Sequence, residues 1–151
     1  MKLKLTAAIG LIATCLPFVA HADIAGDHPG YLHALVDLSA ARWNLQHRPG
    51  DVAVSIQEDR AISEIDRAIG EIKKAAHDDG SNTNNLPRED AELDRPGRLH
   101  HAMDLLDKVH GDLEREEANP ETRSLKHRAL EHVDRAMEAT KRAIRDVERT
   151  R

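Results

Sequence analysis

The chain has 151 residues, 22 basic against 27 acidic, and a formal net charge of −5 with histidine neutral. Acidic balance and only 2% aromatic residues argue against nucleic-acid binding, which needs basic grooves and stacking rings. The single cysteine, Cys15, excludes a disulfide framework and a multi-thiolate metal site.

The first 22 residues read as an export signal: a basic start (Lys2, Lys4), a mostly apolar run from Leu5 to Phe18, and a small-x-small site, Ala20-His21-Ala22. Cleavage after Ala22 makes Asp23 the first residue of a periplasmic protein. The apolar run is too short for a membrane span, and no second one follows. A lipid-modified Cys15 within Ile12-Ala13-Thr14-Cys15 is a poorer fit, because Thr precedes the cysteine and the apolar run continues past it. The mature chain, 23–151, has 129 residues, enough for one modest core. Losing Lys2 and Lys4 leaves 20 basic residues against 27 acidic, a net of −7, and nine of the ten histidines remain.

Apolar periodicity predicts four helices. The first runs from about Pro29 to His47, with a seam of Tyr31, Ala34, Leu38, Ala41 and Leu45. The second runs from about Val52 to His77, with Ile62, Ile65, Ile69, Ile72 and Ala76. Residues 79–93, rich in Asp, Asn, Ser and Pro, read as a solvated linker, longer than a connection between neighbouring helices needs. A calcium loop counted from Asp78 fails because Thr83 stands where the turn requires glycine. The third helix runs from about Pro96 to Glu117, with Leu99, Ala102, Leu106, Val109 and Leu113. The fourth runs from about Pro120 to Arg149, with Leu130, Val133, Met137, Thr140, Ile144 and Val147. The 3-4 spacing is that of near-parallel, knobs-into-holes packing.

The hairpin is written twice. Ile65-Asp66-Arg67-Ala68-Ile69 recurs 68 residues later as Val133-Asp134-Arg135-Ala136-Met137, and Ala34, Leu38 and Leu45 recur as Ala102, Leu106 and Leu113. The expected fold is therefore all-α: an antiparallel up-down four-helix bundle from two tandem hairpins, 27–78 and 94–150, in one domain. A local pattern, D-x-P-G-x-L-H-x-x-x-D, obeys a shift of 67 instead, pairing His33 and Asp37 with His100 and Asp104.

In each copy of that pattern His and Asp lie four residues apart, on one helix face. With helices one and three starting at the same end, His33, Asp37, His100 and Asp104 would converge, with His101 as a spare donor. Imidazole with carboxylate suits Cu, Zn or Ni. The bland alternative is an intrahelical pair at the first turn, inherited by duplication. His127, Glu131 and His132 on helix four form a second-choice group, with solvated histidines as the alternative. At Lys126-His127, Ala129 and Glu131-His132 the chain resembles the small His-rich metal-binding proteins of the bacterial periplasm, themselves four-helix bundles of repeated hairpins. That resemblance implies binding of a divalent transition metal. The chain differs from them in carrying far fewer histidines, which points to low capacity.

Nothing in the chain reads as an enzyme: G-x-S-x-G, a Gly-rich phosphate loop and the Glu-x-x-His of di-iron bundles are all missing from the sequence. Two functions are expected to compete. One is a low-capacity metal binder. The other is an interaction, structural or stress-response module without a ligand, acting as monomer or homodimer on an unidentified protein partner.

Overall fold

The computed structural model describes residues 29–47, 55–78, 95–116, 118 and 120–150. These form four helices, α1 (Pro29–Gln46), α2 (Ile56–Asp78), α3 (Arg95–Arg115) and α4 (Arg123–Arg149). Each packs on two neighbours: α2 with α4, α1 with α3, α3 with α4, and α1 with α2. The result is an antiparallel four-helix bundle. The expected export signal and the expected linker at 79–93 lie outside the described residues.

The start of α2 is set by a reciprocal cap. Ser55 Oγ accepts the Glu58 amide at 3.2 Å, while the Glu58 carboxylate accepts the Ser55 amide at 2.9 Å. This S-x-x-E capping box satisfies two otherwise orphaned donors and delays the helix to Ile56. It also explains how Glu58 can be fully buried. At α4, Pro120–Thr122 form a turn and the helix begins at Arg123.

The seams of α1 and α3 are buried as their spacing predicts, whereas on α2 and α4 the buried face is turned one position from the expected seam, onto Ala61, Ala68 and Ala75 and onto Ala129, Ala136 and Ala143. Tyr31, Ala34, Leu38, Ala41 and Leu45 of α1 face Leu99, Ala102, Leu106, Val109 and Leu113 of α3 in one core, joined by Ala61, Ile65, Ala68 and Ile72 of α2 and Ala129, Val133, Ala136 and Ala143 of α4. Core positions 68 apart are buried together, Ile65 with Val133 and Leu38 with Leu106 among them, while off the core the pairs diverge, as buried Leu32 and Ala40 against exposed His100 and Lys108 show. Ile62, Ile69, Leu130, Met137, Ile144 and Val147 are only partly buried, as flanks of the seam. On α1, Leu32, Leu35 and Ala40 are buried as well, although they lie off the seam.

Cross-helix contacts fix the directions. The Gly30 amide, at the start of α1, donates to the Glu116 carboxylate, at the end of α3, at 2.8 Å. Arg98, at the start of α3, donates to the carbonyls of Asn44 and His47, at the end of α1. Between these ends Asp37 meets Lys108 at 2.8 Å. Helices α1 and α3 are therefore antiparallel, and so are α2 and α4, where Glu64 meets His132 and Glu71 meets Arg128. Going round the chain, α1 and α4 point one way, α2 and α3 the other. The expectation that helices one and three start at the same end is thus corrected.

The reversal also gives the inter-hairpin connection a reason. Asp78 and Arg95 stand at opposite ends of the bundle. The 21 residues of α3 make it about 31 Å long at 1.5 Å per residue. Residues 79–94, fully extended, reach about 53 Å, so the segment is long enough to join the ends, where a two-to-five-residue turn is not.

Candidate functional site

The reversed third helix separates the residues expected to form a metal site. With Asp37 beside Lys108 and Gly30 beside Glu116, His33 stands level with about position 112 of α3. His100 lies about twelve residues from that level, or roughly 18 Å along the axis. Ligand atoms around one ion must all approach within about 2.2 Å of it, so His33 and His100 cannot share one.

Each residue of the set has its own surroundings. Asp37 is buried, and its carboxylate faces the Lys108 ammonium. His100 turns back on its own helix, with Nδ1 2.9 Å from the Pro96 carbonyl oxygen. Asp104 is exposed, while His33 and His101 are half-buried. His33 and His101 are 68 apart and share that burial, whereas His100 is exposed. The packing therefore follows the offset of 68, and His101 occupies the place equivalent to His33. The D-x-P-G segments themselves serve the bundle ends. The first supplies the Gly30 amide to Glu116, and the second is followed by Arg98, which holds the α1 carbonyls. A Cβ on residue 30 would stand 2.0 Å from the Glu116 carboxylate oxygen, so this approach requires glycine.

The second-choice group is split between two faces. His127 Nε2 lies 3.7 Å from Glu131 on the exposed face of α4. Glu131 is also held by Arg135 at 3.1 Å. His132 points the other way, into the α2–α4 interface, where Nδ1 is 2.7 Å from Glu64 Oε2. Glu64 is nearly buried and is shared: Arg67 reaches its other oxygen at 3.0 Å, and Arg135 approaches at 3.9 Å. Another histidine, His110, bridges α3 and α4 through Asp134 at 3.3 Å, with Glu114 at 3.8 Å. His47 stacks on Trp43, ring centroids 4.4 Å apart. Among the described residues no three His, Cys, Asp or Glu side chains come together as a cation site.

Sequence reasoning passed over Glu64 and its α2 neighbour Glu71. Arg128 donates to the Glu71 carboxylate through two nitrogens, at 2.8 and 3.1 Å. That hydrogen bond holds the Glu71 carboxyl below the usual glutamate value against the opposing cost of burial, with the charges of Arg128 and Lys74 adding to it. The usable signal lay in the repeat: a Glu and a His at the repeat offset are candidates to meet wherever the two copies face each other.

An open cavity of about 530 Å³ lies at the α3–α4 turn, lined by Glu116, Ala118, Arg123, Lys126, His127 and Leu130. Its charge is mostly committed. Lys126 Nζ donates to the carbonyls of Glu116 and Glu114, at 2.6 and 3.2 Å, closing the end of α3. His127 faces Glu131, and Glu116 itself brings a carboxylate. Among the described lining residues, Arg123 is an exposed cation.

No family model matches the chain, and neither curated proteins nor solved structures offer a match. No described helix is long and apolar enough to cross a membrane.

Proposed function

We propose that this chain is an exported, non-enzymatic helical bundle acting as an interaction or structural module, in which the histidines serve the fold. The observation that carries this reading is the set of histidine–carboxylate ties between helices. His110 joins α3 to α4 through Asp134, and His132 joins α4 to α2 through Glu64. A ring nitrogen hydrogen-bonded to a carboxylate still leaves the other nitrogen free to ligate, so the reading rests on position: these rings lie apart around the bundle, and among the described residues no three His, Cys, Asp or Glu side chains converge.

Calorimetric titration of the purified protein, lacking residues 1–22, with Cu, Ni and Zn tests this directly. The reading expects only weak heats without a defined stoichiometry. One equivalent bound at micromolar affinity or better would overturn it. A second reading, a low-capacity divalent-metal binder, draws on His127 and Glu131, which share an exposed helix face. Loss of such binding on His127→Ala would assign it there. Export is tested separately: cell fractionation and N-terminal sequencing should recover a periplasmic chain beginning at Asp23.

A further inference from the structure

Glu64 and His132 are 68 residues apart, and they touch. That spacing is the repeat offset, so each is the other's counterpart in the two hairpins. A position that meets its own counterpart lies on the axis relating the copies. Two neighbouring contacts obey the same axis. Arg67 and Arg135, also counterparts, both approach the Glu64 carboxylate, from α2 and α4 respectively. Arg42 with Asp66 ties α1 to α2 at 2.6 Å, and the counterpart pair, His110 with Asp134, ties α3 to α4 at 3.3 Å. The antiparallel arrangement of α1 on α3 and of α2 on α4 is what a two-fold axis perpendicular to the helices produces.

In a symmetric dimer a residue on such an axis meets an identical residue. If it is charged and mostly buried, like charges are forced together at a cost. Here the side chains at the axis are only 10% and 17% exposed, and the two copies differ, Glu in one and His in the other.

We propose that the chain is a fused dimer of a self-pairing helical hairpin, and that Glu64 and His132 are the specificity-determining pair at its two-fold axis. They match the first hairpin to the second. Pairing of two first hairpins, from two copies of the chain, would set Glu64 against Glu64. Pairing of two second hairpins would set His132 against His132, with both Arg135 side chains nearby. Two imidazoles could share one hydrogen bond but would leave both arginines without a carboxylate; only the unlike pair sets an imidazole against a single carboxylate that Arg67 and Arg135 also reach.

Exchange of the two residues in the full chain tests this by thermal unfolding. His132→Glu alone puts two glutamates on the axis and should lower the midpoint by roughly 5–10 °C. The double variant Glu64→His with His132→Glu should recover to within about 2 °C of the wild type, since a two-fold axis exchanges the two positions. The arginines give a readout that an ordinary hydrogen-bonded pair would not. In the wild type Arg67 is the close partner of the axial glutamate, so Arg67→Ala should lower the midpoint. In the exchanged background that sensitivity should pass to Arg135→Ala, with a change of about 1–3 °C in each case. A double variant as unstable as His132→Glu, or one still sensitive to Arg67 and not Arg135, overturns the proposal. If His132→Glu alone fails to fold, the double variant and its arginine series still decide.

Discussion

Arg42 with Asp66 in the first hairpin and His110 with Asp134 in the second fill the same slot, yet one uses a guanidinium and the other an imidazole. The two bundle ends differ more. At one, a backbone amide, Gly30, meets the Glu116 carboxylate; at the other, the Arg98 guanidinium meets the α1 carbonyls. Both ends satisfy the polar groups that a helix terminus leaves open, the amides of α1 at one and its carbonyls at the other. The apolar seams hardly differ at all, as Ile65 against Val133 or Leu38 against Leu106 shows. Positions 68 apart thus agree in the buried seam and differ in the polar chemistry around it.

That contrast predicts a graded series of effects. The largest should come from the seam. Ile65→Ala should cost about 2–4 kcal/mol in denaturant unfolding, and Val133→Ala less, because fewer buried methyl groups are removed. A negligible effect of Ile65→Ala would mean that the α2–α4 core is not packed as described.

The bundle ends come next. Arg98→Ala should cost about 1–3 kcal/mol, since Arg98 is almost fully buried and its loss leaves the α1 carbonyls unsatisfied. Gly30→Ala should cost about 1 kcal/mol by displacing the Glu116 cap, the scale of a lost helix N-cap. A larger cost for Gly30→Ala than for Arg98→Ala would contradict the difference in burial between the two ends.

Glu71 gives the pH-dependent case, and it breaks the symmetry, because its counterpart is Ala139. The pKa of its carboxyl is lowered in the folded state, so its contribution is present above the ordinary glutamate value and is lost as pH falls through the lower folded value. Glu71→Gln should therefore be slightly less stable than wild type at pH 7, with the gap closing in acid. A gap that persists at pH 3 would assign the effect to packing. The smallest effects belong to the exposed pairs: Arg42→Ala and His110→Ala should each change stability by no more than about 0.5 kcal/mol.

The four helices and the buried faces of α1 and α3 were legible in the sequence because heptad spacing reports which side of a helix is apolar; on α2 and α4 the large residues Ile62, Ile69, Leu130 and Met137 drew the seam one position away from the alanines that pack closest. The direction of α3 was not, because a 3-4 seam packs equally well against a parallel or an antiparallel neighbour. The length of the 79–93 segment carried that information, and only the helix directions show what it meant. The direction of α3 is also what sets His33 and His100 at different levels of the bundle, where the sequence led to an expectation that they converge with Asp37 and Asp104. The start of α2 was readable at Ser55 and Glu58 as S-x-x-E, a spacing that apolar periodicity passes over. Glu64 and His132 were visible as counterparts, but their meeting required the axis.

The reversed third helix is the claim on which the rest stands. It is measured most directly by electron–electron distances between spin labels on two pairs of cysteine substitutions, with Cys15 replaced by serine. One pair is Gln46 with His100, and the other is Gln46 with Glu114. The antiparallel arrangement of α1 and α3 predicts that 46–100 is the short distance. It makes 46–114 longer by an axial offset of about 20 Å, since Gln46 stands level with the start of α3. A short 46–114 distance with a long 46–100 distance would place the starts of α1 and α3 at the same end and contradict the account.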